Sequence, residues 1–349
     1  MKLNIFLVFI SMMLITASCK KEDNKPEPAK KKYAWVVGDK DSTEYGMILF
    51  TPDGGDTWLR QGQGAAALYG VSLANVWAVD TNIVWAVGLN NVILRTSDGG
   101  SNWSRITPPV NRPDIDLLSI SLLGSNDVWI SGSKGIVYHS ANGGSTWSTF
   151  DSTFFRKGLL QGIHAVNQQT VYVVGQADQW SIIARTINGG QTWDTIAPEN
   201  NYNIHLWIGA KSIGTEHIVI YGGRAHYIYS HDAGVTWKND SVPNTGGIEG
   251  ADINCLTMLD ANTWWGAFDY ECIYITTNAG TSWVKQTSSL PGGMFLVGID
   301  YYDRNLALIA AQSSVSRTGK IMKTSDGGNL WELKLHTRSW INKVSFIKN

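Results

Sequence analysis

Apolar residues in this chain fall in short runs closed by glycine or a polar turn. They do not recur at helical spacing. Five runs share one shape: WVVG (35–38), VWAVG (84–88), VWISG (128–132), VYVVG (171–175) and IVIYG (218–222). WWGAF (264–268) and LALIA (306–310) hold the matching places but depart from that shape. Short runs rich in β-branched and aromatic residues, bounded by glycine, predict strands. A second apolar run precedes these, as in LLSISLL (117–123) and LQGIHAV (160–166).

Between these runs a polar segment repeats seven times: TPDGGDTW (51–58), TSDGGSNW (96–103), SANGGSTW (140–147), TINGGQTW (186–193), SHDAGVTW (230–237), TTNAGTSW (276–283) and TSDGGNLW (324–331). Its tryptophans stand at 58, 103, 147, 193, 237, 283 and 331, so the intervals are 45, 44, 46, 44, 46 and 48. The Asp or Asn side chain can accept backbone N–H groups a few residues on. The glycines supply left-handed backbone for a hairpin tip. The tryptophan starts the returning strand, with a face broad enough to pack on a neighbouring sheet.

Each period thus holds four strands, A to D, with the polar segment between C and D. Seven such units predict an all-β, seven-bladed propeller over residues 33–349. The chain opens on a B-type strand, AWVVG (34–38), and ends on an A-type strand, INKVSFIKN (341–349). Pairing the two closes the ring and leaves no open edge at the seam.

Composition adds exclusions. Lys plus Arg is 28 and Asp plus Glu is 29, so no basic surface is available for sequence-independent binding of nucleic acid. Three cysteines make no disulfide scaffold. Cys255 falls on strand A of blade six and Cys272 at the start of strand C. With strand B between them, they should lie roughly 9–10 Å apart, beyond disulfide reach. Two free, buried thiols are expected.

The first 19 residues, MKLNIFLVFISMMLITASC, read as a secretory signal: Lys2, an apolar core, then small residues before Cys19. The end of this segment resembles the bacterial lipobox, with Thr16 where that family prefers leucine. The resemblance implies a signal over 1–18, cleavage before Cys19 and lipidation of its thiol. An ordinary signal peptide is the alternative. Residues 19–32, with KKEDNKPEPAKKK after Cys19, lack the apolar content to build a core and are expected to form a disordered tether. Fully extended, it reaches roughly 40 Å. Lysine followed by acidic residues also resembles the surface-export signal of Bacteroidota lipoproteins. The expected location is the cell envelope, anchored by lipid, with the outer membrane favoured.

The repeated segment resembles the Asp-box of bacterial neuraminidase (BNR) repeats, sialidases, xyloglucan hydrolases and sortilin-type receptors. VWAVG…ILRTSDGGSNW (84–103) resembles more closely the photosystem II stability and assembly factor family, a seven-bladed propeller. That resemblance implies the fold and favours a protein partner. A glycan in the envelope is the other partner considered.

In a propeller of this order the D–A loops and B–C turns share one face, and the boxes lie on the opposite one. Asp53, Asp98, Asn142, Asn188, Asp232, Asn278 and Asp326 of the boxes are therefore read as structural. Three asparagines among seven argue against calcium. The candidate ligand face carries Arg112, Lys134, Trp180, Arg224, His226, Asp269, Tyr270 and Arg317. Its cations suit an anion, or are solvated loop charges. Trp180 suits a sugar platform, or covers a blade edge.

Catalysis is not expected, and an Asp-box glycoside hydrolase, sialidase-like or other, is the alternative. The sialidase pattern places Arg-Ile-Pro before its first box. Here the nearest string, RITPP (105–109), follows the second. A xyloglucanase-type site needs two facing propellers. Asp252, Asp269 and Asp300 offer carboxylates, but no spacing singles out a pair. His164, on an A strand, reads as a channel or core residue. No His/Cys cluster or phosphate loop marks a metal or cofactor, and none is expected.

Overall fold

A computed structural model describes residues 31–150, 154–177, 180–196, 206–243, 251–286, 292–313 and 315–347. The signal segment, Cys19 and the tether up to residue 30 lie outside the described residues. Seven four-stranded antiparallel sheets form a seven-bladed propeller. The inner strands are Ile341–Phe346 in blade one, then Leu73–Ala78, Leu117–Leu123, Leu159–Ala165, Trp207–Ile213, Ile253–Met258 and Phe295–Tyr301.

Blade one is built from both ends of the chain. Ile341–Phe346 pairs antiparallel with Ala34–Lys40, Val344 opposite Val36. Seven hydrophobic clusters follow, each shared by two adjacent blades. The closing one joins Leu306, Leu308 and Ile321 of blade seven to Ala34, Val36 and Val344 of blade one.

This packing explains the apolar runs. B strands are covered on both faces, so Val84–Gly88 is buried at every position. D strands lie at the rim and are short and exposed, as in Ser104–Arg105. The glycine ending the B strand has a specific cause. In each blade the pairing of strands A and B slips by a residue near the start of strand A. That slip drives an A-strand carbonyl against the B strand. A Cβ on Gly88 would stand 2.0 Å from the Ser72 oxygen, and one on Gly132 2.1 Å from that of Asp116. At these glycines no side chain fits. Blade six departs because Phe268 holds this place, and Gly266 makes room for its ring.

The box tryptophans pack on the preceding blade. Trp193 meets Trp129 edge to face at 6.3 Å, and Trp331 meets Trp265 at 6.2 Å. Cys255 and Cys272 are free and buried.

Inner strands are sheet edges, and their N–H groups need acceptors. Side chains of the preceding blade supply several. Ser119 Oγ accepts from Ile163 N at 3.2 Å, and Ser121 Oγ from Ala165 N at 3.0 Å. Asp300 Oδ2 accepts from Phe346 N at 2.8 Å. Cys255 Sγ does the same for Ile299 N at 3.3 Å. The thiol therefore stands where other blades use a hydroxyl or carboxylate.

Candidate functional site

The two faces of the ring differ in what their side chains are free to do. On one face lie the boxes and the A–B turns. The first small residue of each box donates its N–H to the A–B turn, as Gly99 does to Asn82 O at 3.0 Å and Ala279 to Asn262 O at 2.9 Å. In blade one, where the chain enters, Lys32 O takes this place and accepts from Gly54 N at 2.7 Å.

Inside each box the Ser/Thr hydroxyl and the Asp/Asn side chain serve their own loop. Thr51 Oγ1 donates to Asp53 Oδ1 at 2.8 Å and accepts from Gly55 N at 2.7 Å. Asp53 Oδ1 also accepts from Thr57 N at 2.9 Å, and Oδ2 from Thr57 Oγ1 at 2.6 Å. Asn188 repeats this with one reversal: its Nδ2 donates to Thr192 Oγ1 at 2.8 Å. A hydroxyl serves both partners because it donates to a carboxylate and accepts from an amide. That is why Asp and Asn alternate at this position. Asp98 is bonded instead by Asn102 Nδ2 at 2.7 Å, and Asn142 and Asn278 bond Thr146 and Ser282. In Asp232, bonds from the Thr236 hydroxyl and amide and the Ser230 hydroxyl hold the carboxyl down at about 2. Asp326 receives the Leu330 amide at 3.0 Å, without a hydroxyl at 330.

The opposite face carries the D–A loops and B–C turns, which bind each other through Ser133 N to Asp116 O at 2.8 Å and Asp269 N to Asp252 O at 3.2 Å. Among the described residues, four B–C turns place two successive residues in left-handed backbone: Asn90–Asn91, Lys134–Gly135, Arg224–Ala225 and Tyr270–Glu271. That is the geometry of a tight two-residue hairpin. Lys134, Arg224 and Tyr270 therefore hold the same position in three blades.

Their surroundings differ. Asp114 pairs with both Arg112, at 2.9 Å, and Lys134. Those two cations hold its carboxyl well below the usual carboxylate range. Arg317 lies 5.9 Å over the Trp340 ring. Arg224 is fixed by its backbone, its N–H on Asp252 Oδ1 at 2.9 Å and its carbonyl on His226 Nδ1 at 2.8 Å. Among the described residues its guanidinium meets no carboxylate. Asp269 accepts from Asp252 N at 3.1 Å and Asn254 Nδ2 at 2.8 Å. Tyr270 is 64% and Trp180 60% exposed.

Trp180 has a partner that the sequence reading passed over. Arg156 lies 6.0 Å from its ring centre. Arg156 and Lys157 sit in left-handed backbone just before an inner strand. The string RKG ahead of that strand was the available signal. The structure thus groups Arg112 with Lys134, and Trp180 with Arg156. Arg224, His226, Asp252 and Asp269 form a third group through their loops. Arg317 stands apart in blade seven. Of the carboxylates considered for catalysis, Asp252 and Asp269 share this face. Asp300 lies on the wall of the central channel, with His164.

Fold and box geometry define the class: a seven-bladed Asp-box propeller with one internally consumed face and one decorated face. The family model for photosynthesis system II assembly factor YCF48 matches residues 26–148 and 70–205, and the chain belongs to that family. YCF48 from Cyanidioschyzon merolae is similar at 20% identity, over 86% of this chain and 97% of that one, with a TM-score of 0.63. A structure described as YCF48 bound to D1 peptide gives 18% identity over 76% and 82%, TM-score 0.57. A GH74 xyloglucanase from Xanthomonas campestris gives 13% identity over 75% of this chain and 45% of that one, TM-score 0.56. At these identities the structural likeness concerns the fold. No curated protein matches the chain.

Proposed function

We propose that the chain is a non-enzymatic binding propeller of the cell envelope. It takes a protein partner on the face of D–A loops and B–C turns, and a lipid on Cys19 holds it to the membrane. The carrying observation is the contrast between the faces. The Ser/Thr and Asp/Asn pair of each box bonds within its own loop, whereas Arg224 and Tyr270 project from tight B–C turns and Trp180 stands exposed at the start of strand Trp180–Thr186. Exposed aromatic and arginine side chains on fixed turns are the residue types that dominate protein interfaces. Family membership supports this reading, as does the D1 peptide bound in one YCF48 structure.

A glycan is the second reading, favoured by the Trp180 ring with Arg156 beside it. The hydrolase alternative has less support, since Asp252 and Asp269 each accept backbone N–H groups and Asp300 is in the channel.

The test is site-specific photo-crosslinking in intact cells, with the photoreactive residue at Trp180, Tyr270 or, as control, Thr57 of the first box. A discrete protein adduct from the first two positions and none from Thr57 is expected. Equal adducts from both faces, or reducing sugar released from an envelope glycan, would sink the proposal.

A further inference from the structure

The two buried cysteines have different neighbours. Cys272 Sγ faces the Tyr270 carbonyl oxygen at 3.3 Å. Cys255 Sγ instead accepts from two donors, the Ile299 amide at 3.3 Å and the Lys343 ammonium at 3.2 Å. The Ile299 carbonyl oxygen is more distant, at 3.8 Å. Cys255 lies on the inner strand Ile253–Met258 of blade six and Lys343 on Ile341–Phe346 of blade one. The inner strand Phe295–Tyr301 of blade seven stands between them. Gly298 of that strand leaves the gap the lysine crosses, since a Cβ there would stand 3.3 Å from the Lys343 Cα.

Two donors aimed at one sulfur favour the thiolate, the form that oxidants attack. Burial alone would push the Cys255 thiol up, but Lys343, Lys211 and the Ile299 amide outweigh it and hold the thiol below its ordinary value. Lys343 and Ile299 also line the central cavity of about 570 Å³, so both partners of the sulfur border a space that admits hydrogen peroxide. A sulfenic acid formed at Cys255 would then stand beside a primary amine. Sulfenic acids condense with thiols and with nitrogen nucleophiles.

We propose that hydrogen peroxide joins Lys343 Nζ to Cys255 Sγ by a sulfur–nitrogen bond, a covalent clasp between blades one and six. The thiolate attacks peroxide: an S–O bond forms, the O–O bond breaks and hydroxide leaves. That hydroxide takes a proton from the Lys343 ammonium and becomes water. The freed amine attacks the sulfenic sulfur, the S–O bond breaks, and its oxygen leaves as a second water with a proton from the amine. Sulfur is oxidised by two electrons and peroxide is reduced by two. The clasp closes a loop spanning 88 positions and fastens the last strand of the chain. A cross-link of that span restricts the unfolded chain, so the oxidised ring should unfold at a higher temperature than the reduced one.

The test is peptide mapping by tandem mass spectrometry of the unaltered full chain, treated with hydrogen peroxide, quenched with catalase and digested without reductant. A peptide pair joined at Cys255 and Lys343 is expected, lighter than the sum of its parts by two hydrogens and separated again by dithiothreitol. Cys272 should remain a thiol. Lys343→Arg keeps the charge but removes the amine, so Cys255 should still be oxidised and no joined pair should form. Cys255→Ser keeps an acceptor for the Ile299 amide, as Ser119 does for Ile163, and should show neither the pair nor the peroxide-induced rise in unfolding temperature. Recovery of Cys255 as a free thiol, or as a sulfinic acid with Lys343 unjoined, overturns the proposal. So does a joined pair that retains an added oxygen, because the bond would then not run directly from sulfur to nitrogen.

Discussion

The amide of Ala78 donates to Ser345 Oγ across 3.1 Å, joining two residues 267 positions apart. Ser345 belongs to the last strand of the chain and Ala78 to the inner strand of blade two. Asn342 Nδ2 reinforces the joint by donating to Leu73 O at 2.7 Å. On the outer side Lys323 of blade seven, nearly buried, reaches Asp56 of blade one at 2.6 Å. The C-terminal strand is thus an inner wall with neighbours on both sides.

Removal of residues 341–349 should therefore abolish folding. It strips blade one of its inner strand and with it Ile341, Val344 and Phe346, all buried. Each fully buried apolar side chain contributes about 1.5–3 kcal/mol, against a total stability of about 5–15 kcal/mol. The check is denaturant unfolding of the truncated chain followed by tryptophan fluorescence. No cooperative transition is expected. A transition with an unchanged midpoint would mean that the ring closes elsewhere.

Two boxes carry alanine where five carry glycine, and the structure shows the strain this entails. Ala233 has φ 60° and Ala279 φ 54°, beside Gly99 at 70° and Gly189 at 66° in the same place. Left-handed backbone costs an L-residue roughly 1–2 kcal/mol. Ala233→Gly and Ala279→Gly should each stabilise the protein by about 1 kcal/mol, since part of that gain is lost to the freer unfolded chain. In a domain this large the shift in Tm is about 2 °C. A fall in Tm for both variants would contradict the strain.

The box hydroxyl offers a test of direction. Thr192 accepts from Asn188 Nδ2, whereas Thr57 donates to Asp53. Asn188→Asp should be close to neutral near pH 7, because the Thr192 hydroxyl turns and donates. Thr192→Val should lose about 0.5–1 kcal/mol, and Asn188→Asp made on top of it should cost more than it does alone. A double-mutant cycle from urea midpoints measures that coupling. Additive effects would show that the hydroxyl plays no part.

Much of this fold was readable because a propeller writes one unit seven times. The TSDGG spacing set the blades, and the unmatched strands at the two ends set the closure. What was not readable are relations that run between blades. Lys343 and Cys255 are 88 residues apart and meet only because the ring closes and Gly298 leaves a gap. Lys134 and Arg112 looked like open anion ligands until Asp114 was placed between them. Arg156 drew no attention in FFRKG, since nothing local shows that Trp180 lies beside it. The box period reports backbone requirements common to all blades. Loop side chains on the decorated face obey no such repeat, so their partners appear only in three dimensions.

His164 gives the propeller an acid sensitivity of its own. Its ring is buried in the channel wall, bonded to Ser212 and close to Lys211, and its pKa is lowered to about 3. In the unfolded chain an ordinary histidine takes up its proton near 6.5. The folded pKa lies below the unfolded one, so below about 6.5 the unfolded state binds more protons. This contribution is fully present above that pH and declines as pH falls toward about 3. From pH 7 to pH 5 the loss is roughly 2 kcal/mol. The box carboxyls such as Asp232, held at about 2, are lost in a lower window, below about 4. Urea unfolding of the wild type and of His164→Gln at pH 7 and pH 5 separates the two. The variant keeps a partner for Ser212 and should lose about 2 kcal/mol less than the wild type between these pH values. Equal losses would show that His164 is protonated as readily in the folded ring as in the open chain.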